Sequence, residues 1–138
     1  MNNVFFSKLY QETILRYNKH PKNFGKLENA CCFEGQNKMC GDFIRLFLHL
    51  TENKIEAASF EGEGCAILKA SASMMTDLLK GKFLHEIDEL FDNFKSILEN
   101  SGSYCEDLKE ANVFAGLSHF HSRAQCALLP WETLINGI

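Results

Sequence analysis

Apolar and polar side chains alternate along residues 42–50, which is the pattern of a strand with one buried face. The apolar face carries Ile44, Leu46, Leu48 and Leu50. Glu52 and Asn53 then predict a turn, and residues 54–61 predict a returning strand, so the two strands should form an antiparallel hairpin. A third strand, with a weaker pattern, is predicted at residues 32–37.

Helical spacing of apolar residues predicts four helices that pack on this sheet. They lie near residues 4–18, 66–79, 83–98 and 120–135. Pro21 follows the first helix and ends it, and Gly81 separates the second helix from the third. The sequence therefore predicts an α+β fold, in which a small three-stranded antiparallel sheet packs against helices.

The last predicted helix carries two features that bear on where it begins. Ser122 and Gln125 have the spacing of a capping box, which predicts a start beside Ser122 and places Cys126 in the first turn. Pro130 has no N–H to donate to the carbonyl of Cys126, so it predicts a kink or a late helix start.

Length and composition narrow the class of protein. Residues 1–138 are expected to form a single domain. The formal net charge of -4 argues against nucleic acid as a partner. No segment has the pattern of a signal peptide or the length of an apolar membrane span, so we expect a cytoplasmic protein with no membrane partner. In a reducing compartment the six cysteines are expected to be thiols or metal ligands.

The segment Gly62-Glu63-Gly64-Cys65 joins the second strand to the second helix. Its two glycines allow either a positive φ or a close approach of another part of the chain. Cys65 is then expected at the N-terminus of the helix, where unpaired N–H groups and the helix dipole favour a thiolate over a thiol. Cys65 is therefore a candidate ligand or nucleophile, although an ordinary buried cysteine has the same pattern.

Two further cysteines and one carboxylate are candidates for the same site. Cys40 and Asp42 are two residues apart on an extended segment, so their side chains should point the same way. With Cys65 and Cys126 they make a set of three sulfurs and one oxygen, which suits tetrahedral zinc. The wide spacing of these residues matches no compact zinc motif, so spacing alone does not decide between one shared site and separate cysteines. Cys31-Cys32 is interpreted as a pair of loop thiols.

Together these motifs resemble the U-type iron–sulfur assembly family, which includes NifU-like, IscU and SufU proteins. The resemblance is carried by Cys40-Gly41-Asp42, by Gly62-Glu63-Gly64-Cys65 with the Ala-Ser-Ala-Ser-Met-Met run of the following helix, and by Cys126. It covers nearly the whole chain and includes Leu9-Tyr10 and His20-Pro21-Lys22-Asn23 near the start. The resemblance implies an α+β domain with one site at its end, and the implied site residues are Cys40, Asp42, Cys65 and Cys126.

Three features distinguish the branches of that family. The IscU scaffold branch typically carries a histidine immediately before its last cysteine, and this chain has Gln125 there. The SufU branch lacks that histidine, has a longer segment between its second and third cysteines, and has an arginine three residues before the last one. This chain has the longer segment, residues 81–116, and it has Arg123. It is therefore similar to the SufU branch.

The resemblance to SufU implies a zinc-binding protein that accepts persulfide sulfur from a cysteine desulfurase during iron–sulfur cluster biogenesis. Further partners would be cluster-assembly proteins or apo iron–sulfur proteins downstream. Cys40 is the expected catalytic acceptor, because it precedes Gly41 in a loop while Cys65 and Cys126 are held on helices. Arg123 is expected to contact the desulfurase.

Two alternatives stay open at this level. One is a scaffold on which a [2Fe–2S] cluster is assembled and transferred, with iron in place of zinc. In that case His119 or His121, both near the last cysteine, could serve as a ligand. The other alternative is a domain whose zinc has a structural role only.

Overall fold

A computed structural model describes residues 3–39, 41–100 and 103–138, with the backbone alone for residues 3–7. Within these ranges the chain forms four α-helices and three strands: α1 (Asn3–Lys19), β1 (Cys31–Asn37), β2 (Asp42–Thr51), β3 (Lys54–Glu63), α2 (Ala66–Leu79), α3 (Ile87–Glu99) and α4 (His121–Gly137). Short 3-10 helices occupy Leu84–Glu86, Glu106–Phe114 and Leu117–His119. None of the helices in the described ranges has the length and apolarity needed to cross a membrane.

The three strands form one antiparallel sheet in the order β1-β2-β3, which confirms the predicted α+β fold. Ile44, Leu46 and Leu48 of β2 are fully buried on one face of the sheet, as their alternation predicted. Glu52 and Asn53 both have positive φ, 51° and 66°, which matches the tight turn that a twisted hairpin needs.

Helices α2 and α4 pack against each other and cover the sheet, α4 over β1 and α2 over β3. A buried polar contact joins them: the Ser71 hydroxyl of α2 donates to the carbonyl of Ala127 at 2.6 Å and accepts from Trp131 Nε1 at 3.2 Å. The Trp131 ring also stacks on Phe94 of α3, with 4.3 Å between centroids. This packing fixes the position of α4, which carries Cys126, relative to the helix that follows Cys65.

The interpretation of Cys31-Cys32 as loop thiols is wrong. Both residues belong to β1, where Cys31 pairs with Leu48 and Cys32 pairs with Phe47 of β2. The physical reason is the length of β2, which offers pairing partners beyond the stretch in which β1 has a recognisable pattern. Both cysteines are exposed.

The last helix begins beside Ser122 as predicted, but the capping box of Ser122 and Gln125 does not form, and the predicted place of Cys126 in the first turn is wrong. Helix α4 begins at His121, and no side chain caps its first turn. Cys126 therefore lies in the second turn instead of the first. Pro130 lies inside this continuous helix, so the late start does not occur, and the alternative, a kink at Pro130, stays a prediction. The buried Pro130 ring packs in the interior, and this packing offsets the missing N–H of the proline.

Candidate metal centre

The hairpin brings Asp42 and Cys65 together. Asp42 is the first residue of β2, and the pairing of Phe43 with Glu63 places the end of β3 beside it. The chain then turns through Gly64 into α2, so that Cys65 lies next to the Asp42 carboxylate. The Cys65 N–H donates to Asp42 Oδ1 at 3.3 Å, and the Cys65 thiol donates to Oδ2 at 3.5 Å.

Gly62 and Gly64 allow this turn through close approach of other atoms. Neither residue is among those with positive φ. A Cβ atom on Gly64 would lie 2.6 Å from Asp42 Oδ1, and a Cβ atom on Gly62 would meet the carbonyl oxygen of Phe43. The carboxylate can therefore sit against the turn because residue 64 has no side chain.

Cys126 completes a cluster of three potential ligands. Asp42 Oδ, Cys65 Sγ and Cys126 Sγ all lie within 4.8 Å of one another. Asp42 is 3% exposed and Cys126 is 6% exposed, whereas Cys65 is half-buried. The three residues start β2, precede α2 and lie on α4, so three separate elements hold the cluster in place.

Cys40, the fourth candidate, lies outside the described residues. Its neighbour Gly41 has a φ of 77°, a left-handed conformation that residues with a side chain adopt at a cost. The Gly41 N–H donates to the carbonyl of Asn37 at 2.8 Å, which closes the connection between β1 and β2.

Burial dominates the electrostatics of Cys126. Desolvation raises the pKa of the Cys126 thiol well above its usual range, and the neighbouring side chains of Asp42 and Cys65 raise it further. In the protein without a metal this sulfur is therefore a neutral thiol. A cation in the cluster would favour the thiolate, which is the form that binds metals.

Arg123 and Tyr10 lie at the edge of the cluster. The Arg123 side chain is exposed, and its guanidinium lies 5.2 Å from the centre of the Phe120 ring. With Tyr10, Cys65 and Ile67 it lines a groove of about 400 Å³ between α1 and α2. The sequence did not indicate a role at the site for Tyr10, because the residue lies on the apolar stripe of α1 and the family resemblance, which includes Leu9-Tyr10, implied no function for it.

The remaining cysteines and histidines considered above do not join the cluster. Among the residues that the structure describes, Asp42, Cys65 and Cys126 form the group with metal-ligand spacing. His119 and His121 are exposed, as are Cys31 and Cys32. Cys105 is half-buried and precedes a 3-10 helix, where its backbone N–H donates to Asn112 Oδ1 at 2.7 Å.

The donor set fits zinc. Two thiols and a carboxylate are first-choice zinc ligands, and the hydrogen bond from the Cys65 N–H orients the carboxylate. Three ligand atoms from the described residues leave one position of a tetrahedron for a fourth donor.

A Gly64→Ala substitution is expected to weaken metal binding by about tenfold, because the new methyl group displaces the Asp42 carboxylate and disrupted support of a ligand typically has an effect of this size. The measurement is chelator competition on the purified protein. Gly81→Ala is the control: Gly81 has a φ of 84° and no atom near an added Cβ, so the substitution adds backbone strain without crowding Asp42. Equal zinc affinity in the wild type and the Gly64→Ala variant would contradict the prediction.

Comparisons with known proteins agree with this geometry. A family model described as the NifU-like N terminal domain matches residues 9–127. The zinc-dependent sulfurtransferase SufU of Bacillus subtilis is 37% identical, and the match covers 99% of this chain and 93% of that protein. The iron–sulfur cluster assembly scaffold protein IscU of Streptococcus pyogenes is 35% identical, over 94% of this chain and 82% of that protein.

Solved structures give the same result. The crystal structure of FiSufU from Fervidobacterium islandicum AW-1, described as an iron–sulfur cluster assembly scaffold protein for the SUF system, superposes with a TM-score of 0.82 at 34% identity, covering 94% of this chain and 96% of that chain. The family match extends from α1 into α4 and so includes Asp42, Cys65 and Cys126. The chain therefore belongs to the NifU-like N-terminal domain family.

Proposed function

We propose that this protein acts in iron–sulfur cluster biogenesis as a zinc-binding acceptor of persulfide sulfur from a cysteine desulfurase. The observation that carries the proposal is the cluster of Asp42, Cys65 and Cys126, whose ligand atoms lie within 4.8 Å of one another. Cys40 is the proposed fourth ligand. The similarity to the SufU sulfurtransferase over nearly the whole chain supports this assignment.

Bound zinc supplies no redox chemistry and keeps its sulfur ligands deprotonated. In the proposed reaction the Cys40 thiolate attacks the outer sulfur of a protonated persulfide on the desulfurase. A new S–S bond forms to Cys40, the S–S bond of the donor breaks, and its electron pair leaves on the cysteine of the desulfurase as a thiolate. The proton stays on the transferred sulfur.

The choice of Cys40 follows from how each cysteine is held. Cys65 is fixed at the start of α2 through its N–H bond to Asp42, and Cys126 is buried in α4. Cys40 is followed by Gly41, which has a positive φ, and glycine has access to more backbone conformations than a residue within a helix. An acceptor has to reach the active site of a partner, so freedom of movement favours Cys40.

Arg123 is proposed to contact the desulfurase. Its guanidinium is exposed at the rim of the cluster, beside the exposed ring of Phe120. An exposed arginine next to an exposed aromatic ring is typical of the residues that anchor protein interfaces.

We also propose that residues 1–138 form a single domain and that the protein is cytoplasmic. The cysteines in the described part of the chain are all free thiols. Free thiols are the usual state in a reducing compartment, and a cysteine that accepts sulfur needs to stay reduced until it meets its donor.

A [2Fe–2S] scaffold is the second candidate function, and similarity to proteins described as scaffolds favours it: the chain is 35% identical to an IscU scaffold protein and 34% identical to FiSufU. Gln125 weighs against it, because the position before Cys126 lacks the histidine typical of that branch. His119 and His121 are exposed and stand apart from the cluster in the described structure, which also weighs against their serving as cluster ligands.

The freshly purified protein is expected to be colourless and to contain one zinc per chain, because three thiolates and a carboxylate match the preferred ligands of zinc. Elemental analysis and a visible absorption spectrum on protein kept anaerobic make the test. Stoichiometric iron with sulfur-to-iron charge-transfer bands in the visible range would favour the scaffold function instead.

A further inference from the structure

Tyr10 has a buried hydroxyl that makes no hydrogen bond with the described residues. A buried polar group without a partner destabilises the folded protein, and native structures contain few of them. Phenylalanine would fill the same space without that cost. We therefore expect this hydroxyl to form a hydrogen bond in another state of the protein.

The residues around this hydroxyl indicate that its missing partner belongs to the metal centre. Tyr10 and Cys65 line the same groove between α1 and α2, together with Arg123. Burial raises the pKa of Tyr10, Arg123 lowers it, and the sulfurs of Cys65 and Cys126 raise it. Of the clustered ligands, Cys65 is therefore the one that shares this groove with Tyr10.

Metal binding changes what these sulfurs can accept. A thiol sulfur is a weak acceptor, whereas a thiolate is charged and accepts a strong hydrogen bond. In the metal-free protein the Cys65 thiol already donates its proton toward Asp42. When a metal replaces that proton, the sulfur of Cys65, a residue that lines the same groove as Tyr10, gains the capacity to accept a hydrogen bond.

We propose that Tyr10 is a positioning residue of the metal centre, and that its hydroxyl donates a hydrogen bond to the Cys65 thiolate when metal is bound. The inference rests on the metal centre proposed above. A donor of this kind fixes the orientation of the ligand and stabilises its charge, and the loss of such support typically weakens metal binding by about 10-fold to 100-fold.

Tyr17 provides a matched contrast on the same helix. It lies two turns after Tyr10, and its hydroxyl donates to the Glu110 carboxylate. Burial, followed by this hydrogen bond, raises the pKa of Tyr17 to about 12. The same chemical change, removal of a phenolic oxygen, therefore breaks an existing bond at Tyr17 and removes an unpaired group at Tyr10.

The experiment compares Tyr10→Phe with Tyr17→Phe in the full chain. In the Tyr10→Phe variant the zinc dissociation constant, measured by chelator competition, should rise by about tenfold, while the thermal midpoint of the metal-free protein should stay equal or increase. In the Tyr17→Phe variant the midpoint of the metal-free protein should fall by several degrees, and the zinc affinity should stay within about twofold of wild type.

Cobalt(II) substitution gives a spectroscopic readout of the same bond. Loss of a hydrogen bond to a thiolate raises the energy of the sulfur lone pairs. The sulfur-to-cobalt charge-transfer band of Tyr10→Phe should therefore move to longer wavelength, and the band of Tyr17→Phe should stay in place.

The outcomes separate this inference from the proposed function. Unchanged zinc affinity and an unchanged cobalt spectrum in Tyr10→Phe would overturn the role of Tyr10 and leave the metal centre intact. A lower midpoint for metal-free Tyr10→Phe would show that the hydroxyl already has a partner without metal, and it would also overturn the inference. If the wild-type protein binds neither zinc nor cobalt stoichiometrically, the proposed centre and the role of Tyr10 both fail.

Discussion

A Cys40→Ser variant is expected to accept no sulfur from a cysteine desulfurase, whereas the wild-type protein gains one sulfur on Cys40. A serine hydroxyl stays protonated at neutral pH and cannot form a persulfide, so the substitution removes the nucleophile itself. Cys65 and Cys126 are not expected to replace it, because the start of α2 holds the first and the interior of α4 buries the second.

The measurement is mass spectrometry of the cysteine-containing peptides after incubation with desulfurase and cysteine. Each peptide is examined for an added sulfur. Sulfur on Cys65 or Cys126 in wild-type protein, with Cys40 unmodified, would show that the roles of the cysteines are assigned wrongly. That result would leave the metal centre itself unaffected.

Arg123→Ala serves as the comparison for the same assay. This variant retains all three candidate sulfur ligands and Asp42, so its defect should be in docking: slower acceptance at low desulfurase concentration and recovery at high concentration. Lys95→Ala on α3 removes an exposed positive charge elsewhere and should behave as wild type. A slow Arg123→Ala variant that does not recover at saturation would instead indicate a role in the chemical step.

The sheet and the helices could be predicted because local patterns determine them. The alternation in β2 identifies its buried face, and the polar pair Glu52-Asn53 suits a turn in which both residues have positive φ. Helix α2 has the predicted bounds, 66–79, because a segment rich in Ala, Ser, Leu and Met, without Gly or Pro, follows the turn at Gly64. In each case the residues that form the sequence pattern also form the predicted strand, turn or helix.

Other features depend on partners that are distant in sequence. β1 begins at Cys31, one residue before the predicted strand, because β2 is long enough to offer Cys31 a pairing partner in Leu48. Helix α4 starts at His121 without a side-chain cap and continues through Pro130, since its contacts with α2 and the sheet stabilise it beyond local propensity. Predictions from capping residues and proline alone do not include the stabilisation that these tertiary contacts provide.

The site shows the same division. That Asp42 and Cys65 lie side by side follows from the hairpin, since an antiparallel pair brings the start of β2 to the end of β3. The approach of Cys126 depends on how α4 docks on α2, which the spacing of the cysteines could not indicate and which entered only through family resemblance. The unpaired hydroxyl of Tyr10 could not be predicted at all, because its side chain satisfies the apolar pattern of α1.

Substitution of the clustered cysteines should remove stoichiometric zinc. Structural zinc binding contributes about 10–16 kcal/mol over four ligands, so the loss of one thiolate costs roughly 3 kcal/mol and lowers affinity by at least about 100-fold. Cys65→Ser and Cys126→Ser are both expected to purify with little zinc. Cys32→Ser and Cys105→Ser are the controls, and each should retain one zinc per chain because neither sulfur belongs to the cluster.

Asp42→Asn separates the carboxylate's role in binding zinc from its role in the fold. The amide oxygen can still accept the Cys65 N–H, so the turn into α2 should be preserved, while the loss of charge weakens the ligand. Zinc affinity should therefore fall between that of wild type and that of the cysteine variants, with the metal-free protein as stable as wild type.

If Cys126→Ser retained full zinc while Cys105→Ser lost it, the metal would bind elsewhere in the chain and the cluster at the start of α2 would need another explanation.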